Sequence, residues 1–388
     1  MSTERRMLQQ GSILAFAGIL TKLIGFIYRI PMANLLGNVG NGIYSVAFGI
    51  YNIALTLSSL SMPLAVSKLI STRLAKGEPE NARRAFWDTL LFAAAVGFAT
   101  ALVLWLGANE LEALYKEPGL AKPLRVLAPT TFCVAFLGTF RGWFQGNGSM
   151  VPTAVSQVVE QIVNAVVSVL AAWQLTRIFA DSEGVAAYGA AGGTIGTLAG
   201  AGAGLAIVVA LFFRSGQTKT LSDPSEEHGQ IYRALILTVI PVVLSQTIYQ
   251  IGYTIDDLIF ANVMAAKGVA REEYQALQGI FNTQYNQMVN LPVSIATAMA
   301  ASTVPGIVSA AVRRDKKETR RKITAVLKLN MAIAIPSAVG LAVLAEPIMG
   351  LLFTSLGEKE ALAAHLLQTG SAAAVFYALS TITTAVLQ

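Results

Sequence analysis

The sequence has little charge, one cysteine and two histidines, and each shortage removes a class of protein. Only 13% of its 388 residues are charged and 54% are hydrophobic, whereas roughly 25% are charged in an average soluble domain. Such a chain cannot fold as an ordinary water-soluble protein. The single Cys133 excludes an intrachain disulfide and lies in an apolar run, which predicts a small buried residue.

The residues of common catalytic sites are also missing. The sequence contains no metal-ligand cluster, nucleophile triad or phosphate-binding glycine loop. His228 lies in a polar segment and His365 near a helix start, so both are interpreted as solvated. The net charge of +6 resides in short segments between apolar runs, which indicates membrane topology rather than nucleic-acid binding. We therefore expect no enzyme, no metal, no organic cofactor and no nucleic-acid partner.

Apolar runs long enough to cross a bilayer of roughly 30 Å recur along the whole chain. Backbone groups inside a bilayer must be paired within the protein, and the alternating segments of a barrel are absent, so an all-α polytopic bundle is predicted. The ten predicted helices are Gly11–Leu36, Gly42–Thr72, Ala85–Ala108, Leu120–Gly146, Pro152–Phe179, Val185–Phe213, Ile231–Val263, Tyr274–Val312, Ile323–Phe353 and Ala361–Gln388.

The distribution of Lys and Arg predicts the orientation. With the N-terminus in the cytoplasm, 17 of the 28 basic residues fall on the cytoplasmic side and seven on the other, as the positive-inside rule requires. The segment Arg313–Lys322 holds seven of them and is the strongest cytoplasmic signal. The chain is thus predicted to be a multi-pass plasma-membrane protein.

A polar break divides the helices into two lobes. Residues 214–230 are interpreted as a flexible cytoplasmic linker between a six-helix lobe (residues 1–213) and a four-helix lobe (residues 231–388). Residues 61–67 (SMPLAVS) weakly resemble residues 303–309 (TVPGIVS) at the same place in each half, which favours parallel repeats with a substrate path between them. A lobe of four helices lacks neighbours, so the second lobe is expected to be truncated.

Polar side chains inside helices are the candidate site, because ionised groups are costly at bilayer depth and tend to face cavities. Lys22 and Arg29 are seven residues apart on one face of the first helix, and snorkelling of Arg29 is the alternative to a cavity role. The fifth helix carries a polar stripe, for which helix packing and a water-filled path both remain open. Its members are Ser156, Gln157, Glu160, Gln161, Asn164 and Ser168. The seventh and eighth helices add Gln250, Asp256, Asp257 and Asn286, of which the two aspartates lie toward the outer end.

Four segments resemble one known family. The sequences RGWFQG (residues 141–146), MVPTA (150–154) and QVVEQ (157–161) are similar to those of the MurJ and SpoVB-type polysaccharide exporters of the MOP (MATE-like) superfamily. TKLIGF (residues 21–26) resembles the first-helix motif of that family, and Lys22 matches its basic position. Arg29 lies one residue beyond the second basic position of the family, where this chain has Tyr28. The resemblance implies a two-lobe MATE-like fold of fourteen helices, of which this chain has ten.

The resemblance also implies a function. Members flip undecaprenyl-diphosphate-linked sugars, including the peptidoglycan precursor lipid II, from the inner to the outer leaflet of the bacterial cell membrane. The expected partners are this lipid-linked oligosaccharide and membrane lipids, and the protein is expected to be a monomer. The predicted substrate-binding residues are Lys22, Arg29, Arg141, Gln145, Gln157, Glu160, Gln161, Asn164, Gln250 and Asn286.

Two energy sources are compatible with the sequence: a coupling ion, Na+ or H+, and the membrane potential. Glu160, Asp256 and Asp257 are the candidates for binding a coupling ion. The alternative function is a cation-coupled multidrug exporter of the MATE type, which the basic residues Lys22 and Arg29 disfavour because they oppose cationic cargo.

Overall fold

The computed structural model describes residues 3–59, 61–215, 226–294, 307 and 315–387. Within these ranges the chain forms helices and no strand, which confirms the predicted all-α bundle. The first half contains α1 (Thr3–Ser58), α2 (Met62–Ala75), α3 (Pro79–Leu106), α4 (Ala108–Tyr115), α5 (Ala121–Gly146), α6 (Val151–Ile178) and α7 (Val185–Arg214).

The second half begins with α8 (His228–Ala266) and a rod made of α9 (Arg271–Gly279), a π-helical segment (Ile280–Tyr285) and α10 (residues 286–294). It continues with α11 (Lys316–Val343), α12 (Ala345–Leu352), a 3-10 segment (Thr354–Lys359), α13 (Glu360–Gly370) and α14 (Ala373–Leu387). Six described helical stretches are long and apolar enough to cross a membrane, or seven if Thr354–Gly370 and Ala373–Thr384, bent by 46°, form one span.

α1 consists of two arms that meet at Gly37. The first arm comprises residues 3–36 and the second arm residues 38–58, and Gly37 between them has φ 65° and ψ 178°. Glycine suits this position because a side chain is strained at positive φ. Asn41 of the second arm donates a hydrogen bond to the Ala33 carbonyl of the first arm at 2.8 Å. The predicted helix end at Leu36 therefore marks a real break.

Several predicted spans differ in extent from the helices observed. The predicted helix Gly42–Thr72 is interrupted, because the second arm ends at Ser58 and α2 begins at Met62 with a proline in its first turn. The predicted helices Ile323–Phe353 and Ala361–Gln388 are each divided, into α11 and α12 and into α13 and α14. The predicted helix Tyr274–Val312 is observed as far as residue 294. Most of its remainder, including all of the second repeat copy except Ile307, lies outside the described residues, as do Arg313 and Arg314.

Glycines of α7 allow close packing on α6. A Cβ added at Gly196 would clash with Ser168, and one at Gly200 would lie 2.6 Å from the Glu160 carbonyl oxygen. Such contacts let two helix backbones approach directly, which stabilises helix pairs in membranes. In the first lobe, α6 and α7 therefore pack closely because these glycines carry no side chain.

The end of the linker is docked on the first lobe. Arg73 binds both carboxylate oxygens of Glu226, at 2.6 and 2.8 Å, and Arg84 donates to the Glu226 carbonyl at 2.6 Å. His228 Nδ1 lies 2.8 Å from the Asp88 carboxylate, so this histidine is bonded rather than simply solvated. The predicted flexible linker is thus anchored at its last residues, while residues 216–225 lie outside the described ranges.

Candidate substrate cavity

A cavity of about 1090 Å³ lies between the two lobes. Its described walls come from both arms of α1, from α6, α8, the π-helical segment and α10, and from Tyr377 of α14. The lining includes Ile19, which is 18 residues from Gly37 and therefore about 27 Å along the first arm at 1.5 Å per residue. The lining residues of this arm end at Ala33, so the cavity follows about 21 Å of the arm at 1.5 Å per residue and is large enough for a bulky polar headgroup.

Lys22 and Arg29 both line this cavity and are solvent-accessible. They are seven positions apart in the helix, so they lie about 10 Å apart along the first arm on one wall. Neither forms an ion pair with a carboxylate among the residues that the structure describes. Two cations without a carboxylate partner, in a cavity surrounded by helices, attract an anion strongly.

The opposite wall is rich in amides and carries two carboxylates. Asp257 accepts hydrogen bonds from Gln278 at 3.0 Å and from Asn282 at 2.8 Å. Asp256 lies beside it on the wall and is exposed. Amide side chains both donate and accept, which suits hydroxyl-rich or peptide-bearing ligands. The amides on this wall are Gln250, Asn282, Asn286, Gln287 and Asn290.

The sequence matches the family model described as polysaccharide biosynthesis protein over residues 7–310. The chain belongs to this family. It is 25% identical over 403 residues to the lipid II flippase MurJ of Bacillus subtilis, an alignment that covers 99% of this chain and 72% of that relative. It is 27% identical over 356 residues to the stage V sporulation protein B of the same organism, covering 89% of this chain and 66% of the relative.

Solved structures confirm the fold. An inward-facing multidrug resistance MATE family transporter of the MOP superfamily superposes with a TM-score of 0.74 at 16% identity, covering 98% of this chain and 84% of that one. The expected MATE-like architecture and the resemblance to MurJ and SpoVB-type proteins are therefore confirmed. The chain is a membrane transporter of the polysaccharide biosynthesis family.

The polar stripe of the predicted fifth helix lies on α6 of the structure. Most of it packs against other helices instead of lining the cavity. Arg141 Nη2 lies 2.6 Å from Glu160 Oε2, and Arg141 Nε donates to Ser156 at 2.9 Å. Glu160 also contacts Gly204 of α7, so it lies between helices as the stripe predicts. Its charge is neutralised by Arg141, which favours the packing alternative for this pair.

The remaining predicted residues of α5 and α6 divide between packing contacts and the cavity wall. Gln145 donates to Thr153, and Asn164 accepts from Ser168 and lies 3.5 Å from the Tyr28 hydroxyl. Gln157 and these residues are absent from the described lining, whereas Gln161 is part of it. Substrate binding by Arg141, Gln145, Gln157, Glu160 and Asn164 stays a prediction. Lys22, Arg29, Gln161, Gln250, Asn286, Asp256 and Asp257 are brought together on the walls of one cavity.

Part of the lining was missed from the sequence. The second arm contributes Asn41, Tyr44, Phe48 and Asn52 to the cavity. Their spacings of three and four residues place them on one helical face, so a helical periodicity search of this segment could have found them. Asn41 and Asn52 are single amides among apolar residues, a weaker signal than the charges of the first arm.

The lobes meet tightly at the Gly37 end of the cavity. Asn34 donates to the Leu352 carbonyl at 2.9 Å and Gln284 donates to Asn38 at 3.2 Å, both across the interface. A Cβ added at Gly42 would clash with the Gln275 carbonyl, so the second arm and α9 are in backbone contact. This end is closed and, in the predicted topology, faces the outside of the cell.

Proposed function

We propose that this protein flips an undecaprenyl-diphosphate-linked saccharide, lipid II or a related polysaccharide unit, from the inner to the outer leaflet by alternating access. The observation that carries the proposal is the pair Lys22 and Arg29, which line the interlobe cavity without a carboxylate partner among the described residues. A diphosphate is a compact anion that two such cations bind well. Similarity to the lipid II flippase MurJ of Bacillus subtilis supports the lipid II subclass.

The two walls divide the recognition of such a cargo. The cationic wall of the first arm holds the diphosphate, and the amide wall holds the hydroxyl and amide groups of the saccharide. The lipid tail remains in the bilayer, because its transfer into a polar cavity would be unfavourable. This arrangement needs no covalent chemistry.

Release on the outer side requires a second conformation. A site that bound the diphosphate equally well in both conformations would shift no population, so the outward-facing state must hold it less tightly. Rocking of the lobes separates the cationic wall from the amide wall and weakens the combined site. A membrane potential negative inside assists, by roughly 2.3 kcal/mol per 100 mV for each negative charge that crosses the full field.

The test is flipping in proteoliposomes with a fluorescent undecaprenyl-diphosphate sugar. We expect Lys22→Glu to reduce flipping at least tenfold by repelling the diphosphate, and Lys22→Arg to keep most of it. Lys68→Glu is the matched control, since Lys68 is an exposed helical lysine outside the cavity lining and its replacement should leave the rate within about twofold. Normal flipping by Lys22→Glu at equal protein content would reject the assignment.

A multidrug exporter of the MATE type is the second candidate, favoured by Asp256 and Asp257 on the cavity wall. Asp257 already accepts two hydrogen bonds from amides, which leaves Asp256 as the more available carboxylate for an organic cation. Accumulation of ethidium in the same proteoliposomes separates the two functions. Transport of ethidium that is abolished by Asp256→Asn, together with no flipping of the diphosphate lipid, would favour the exporter.

A further inference from the structure

Glu117 is a buried acid that bridges the two lobes at the closed end of the cavity. It lies in the short connection between α4 and α5, outside the candidate membrane spans, yet its side chain is 0% exposed. Gln275 of α9 donates to Glu117 Oε2 at 2.5 Å. The other oxygen, Oε1, is buried without a hydrogen-bond partner in the described structure. The acid thus belongs to the first lobe, and residues of the second lobe shield it from water.

The groups around Glu117 do not provide a compensating ion pair among the described residues. Burial is the dominant influence and raises the pKa of Glu117 from 4.5 to about 7. The Gln275 hydrogen bond and the Arg271 cation lower the pKa, and the nearby Asp257 carboxylate raises it. Tyr274 completes the cover, and its hydroxyl donates to the Lys116 carbonyl at 2.7 Å.

The cover over Glu117 depends on the conformation of the transporter. Tyr274 and Gln275 belong to α9, which packs against α1 at the closed end of the cavity. Separation of the lobes at this end would expose the carboxylate to water and restore an ordinary pKa. The closed conformation therefore binds a proton at Glu117 more tightly than the open one.

We propose that Glu117 is a proton-binding site on the outer face and that its occupancy sets the balance between the closed and open conformations of this face. The proposal rests on the proposed alternating-access function and on the predicted topology. Protonation of Glu117 stabilises the closed face, because the neutral acid tolerates burial and keeps its bond to Gln275. Acid outside the cell consequently holds the transporter inward-facing, and alkaline conditions favour outward opening.

The direction and range of the pH dependence follow from these two pKa values. Below about pH 4.5 Glu117 is protonated in both conformations, so the balance does not change with pH. Between pH 4.5 and 7 the closed conformation progressively loses its advantage, and above about pH 7 the loss is complete. The ratio of closed to open molecules should fall by up to roughly 300-fold across this range, which is the ratio of the two acid constants.

Distances between spin labels across the closed end test the proposal without any cargo. One label replaces Glu110 of α4 and the other replaces Glu358 of the 3-10 segment, both exposed and on opposite lobes, in a Cys133→Ala background. Distance distributions would be recorded by pulsed electron spin resonance in lipid nanodiscs between pH 4.5 and 8.5. We expect a short distance at low pH and a growing population of longer distances as the pH rises.

Three variants make the test decisive. Glu117→Gln cannot ionise and should keep the short distance at every pH, whereas Glu117→Asp should retain a pH response with a shifted midpoint. Glu273→Gln removes an exposed acid from the same helix as Gln275 and should respond like the parent. A parent without a pH response, or Glu117→Gln with the response of the parent, would overturn the proposal. The distance measurements contain no cargo. A failure of the Glu117 proposal can therefore be distinguished from a failure of the proposed function, which the flipping assay of Lys22→Glu tests.

Discussion

Two arginines in membrane helices of this protein have opposite surroundings. Arg141 of α5 lies 2.6 Å from the Glu160 carboxylate and also binds Ser156, in the packed contact between helices. Arg29 of the first arm lines a cavity of about 1090 Å³ and forms no ion pair among the described residues. The first arginine is paired with a carboxylate of the protein, and the second is available to the anionic cargo under the proposed function.

The comparison shows that a charge inside a membrane helix is not by itself a binding site. The cost of placing an ion at bilayer depth is met either by a partner on a neighbouring helix or by water and a ligand in a cavity. Arg141 and Glu160 are partners on neighbouring helices. Lys22 and Arg29 instead line a cavity. The sequence around Arg141 resembles that of the family, and in the structure this arginine is paired with Glu160 between helices.

Replacement of Arg141 should have the largest effect on stability. Arg141→Met leaves Glu160 as an unpaired acid between helices, and loss of one partner of such a partly buried charged pair costs about 1–3 kcal/mol. Unfolding in mixed detergent micelles, followed by tryptophan fluorescence, measures the change. Arg233→Met is the control, since Arg233 is exposed on α8 and its replacement should change the free energy of unfolding by less than about 0.5 kcal/mol.

If the Arg141–Glu160 contact did not contribute to stability, Arg141→Met and Arg233→Met would have the same free energy of unfolding. In that case Glu160 would be hydrated, and the alternative of a water-filled path along the fifth-helix stripe would regain support.

The sequence predicted individual polar residues better than their partners. Lys22 and Arg29 were found because charges are rare in apolar helices, and both line the cavity. The break at Gly37 was marked by the predicted end at Leu36, although the close approach of the two arms was not. Contacts between distant segments, such as Glu117 with Gln275, join residues 158 positions apart. A single sequence carries no periodicity that links them, so this pair was missed.

Helix interruptions were the other failure. Proline and glycine positions such as Pro63 and Gly37 indicate where a helix is weakened, but packing decides whether it bends or stops. Hydropathy alone therefore joined the second arm to α2 in one predicted span.

Replacement of Arg29 should affect cargo binding and spare stability. Arg29→Gln keeps a polar side chain on the wall and removes one of the two cavity cations, so binding of geranylgeranyl diphosphate should weaken roughly tenfold. Its salt dependence should also decrease, because fewer charges attract the anion. The free energy of unfolding should stay within about 0.5 kcal/mol of the parent, as no carboxylate loses a partner.

Titration calorimetry at two salt concentrations measures the affinity, and the micelle unfolding assay measures the stability. Unchanged affinity together with a large loss of stability would place Arg29 with Arg141 as a packing residue. The comparison between the two arginines would then fail.

The double replacement Arg141→Met with Glu160→Met should have the smallest effect. Exchange of an ion pair between helices for well-packed apolar side chains of similar size is often neutral, so the free energy of unfolding should return to within about 1 kcal/mol of the parent. Flipping should also return, because neither residue belongs to the described cavity lining. A double variant that unfolds like the parent but no longer flips the diphosphate lipid would give this pair a direct role in transport. That result would support the prediction that Glu160 binds the cargo or a coupling ion, since a residue needed only for packing is dispensable once the packing is restored.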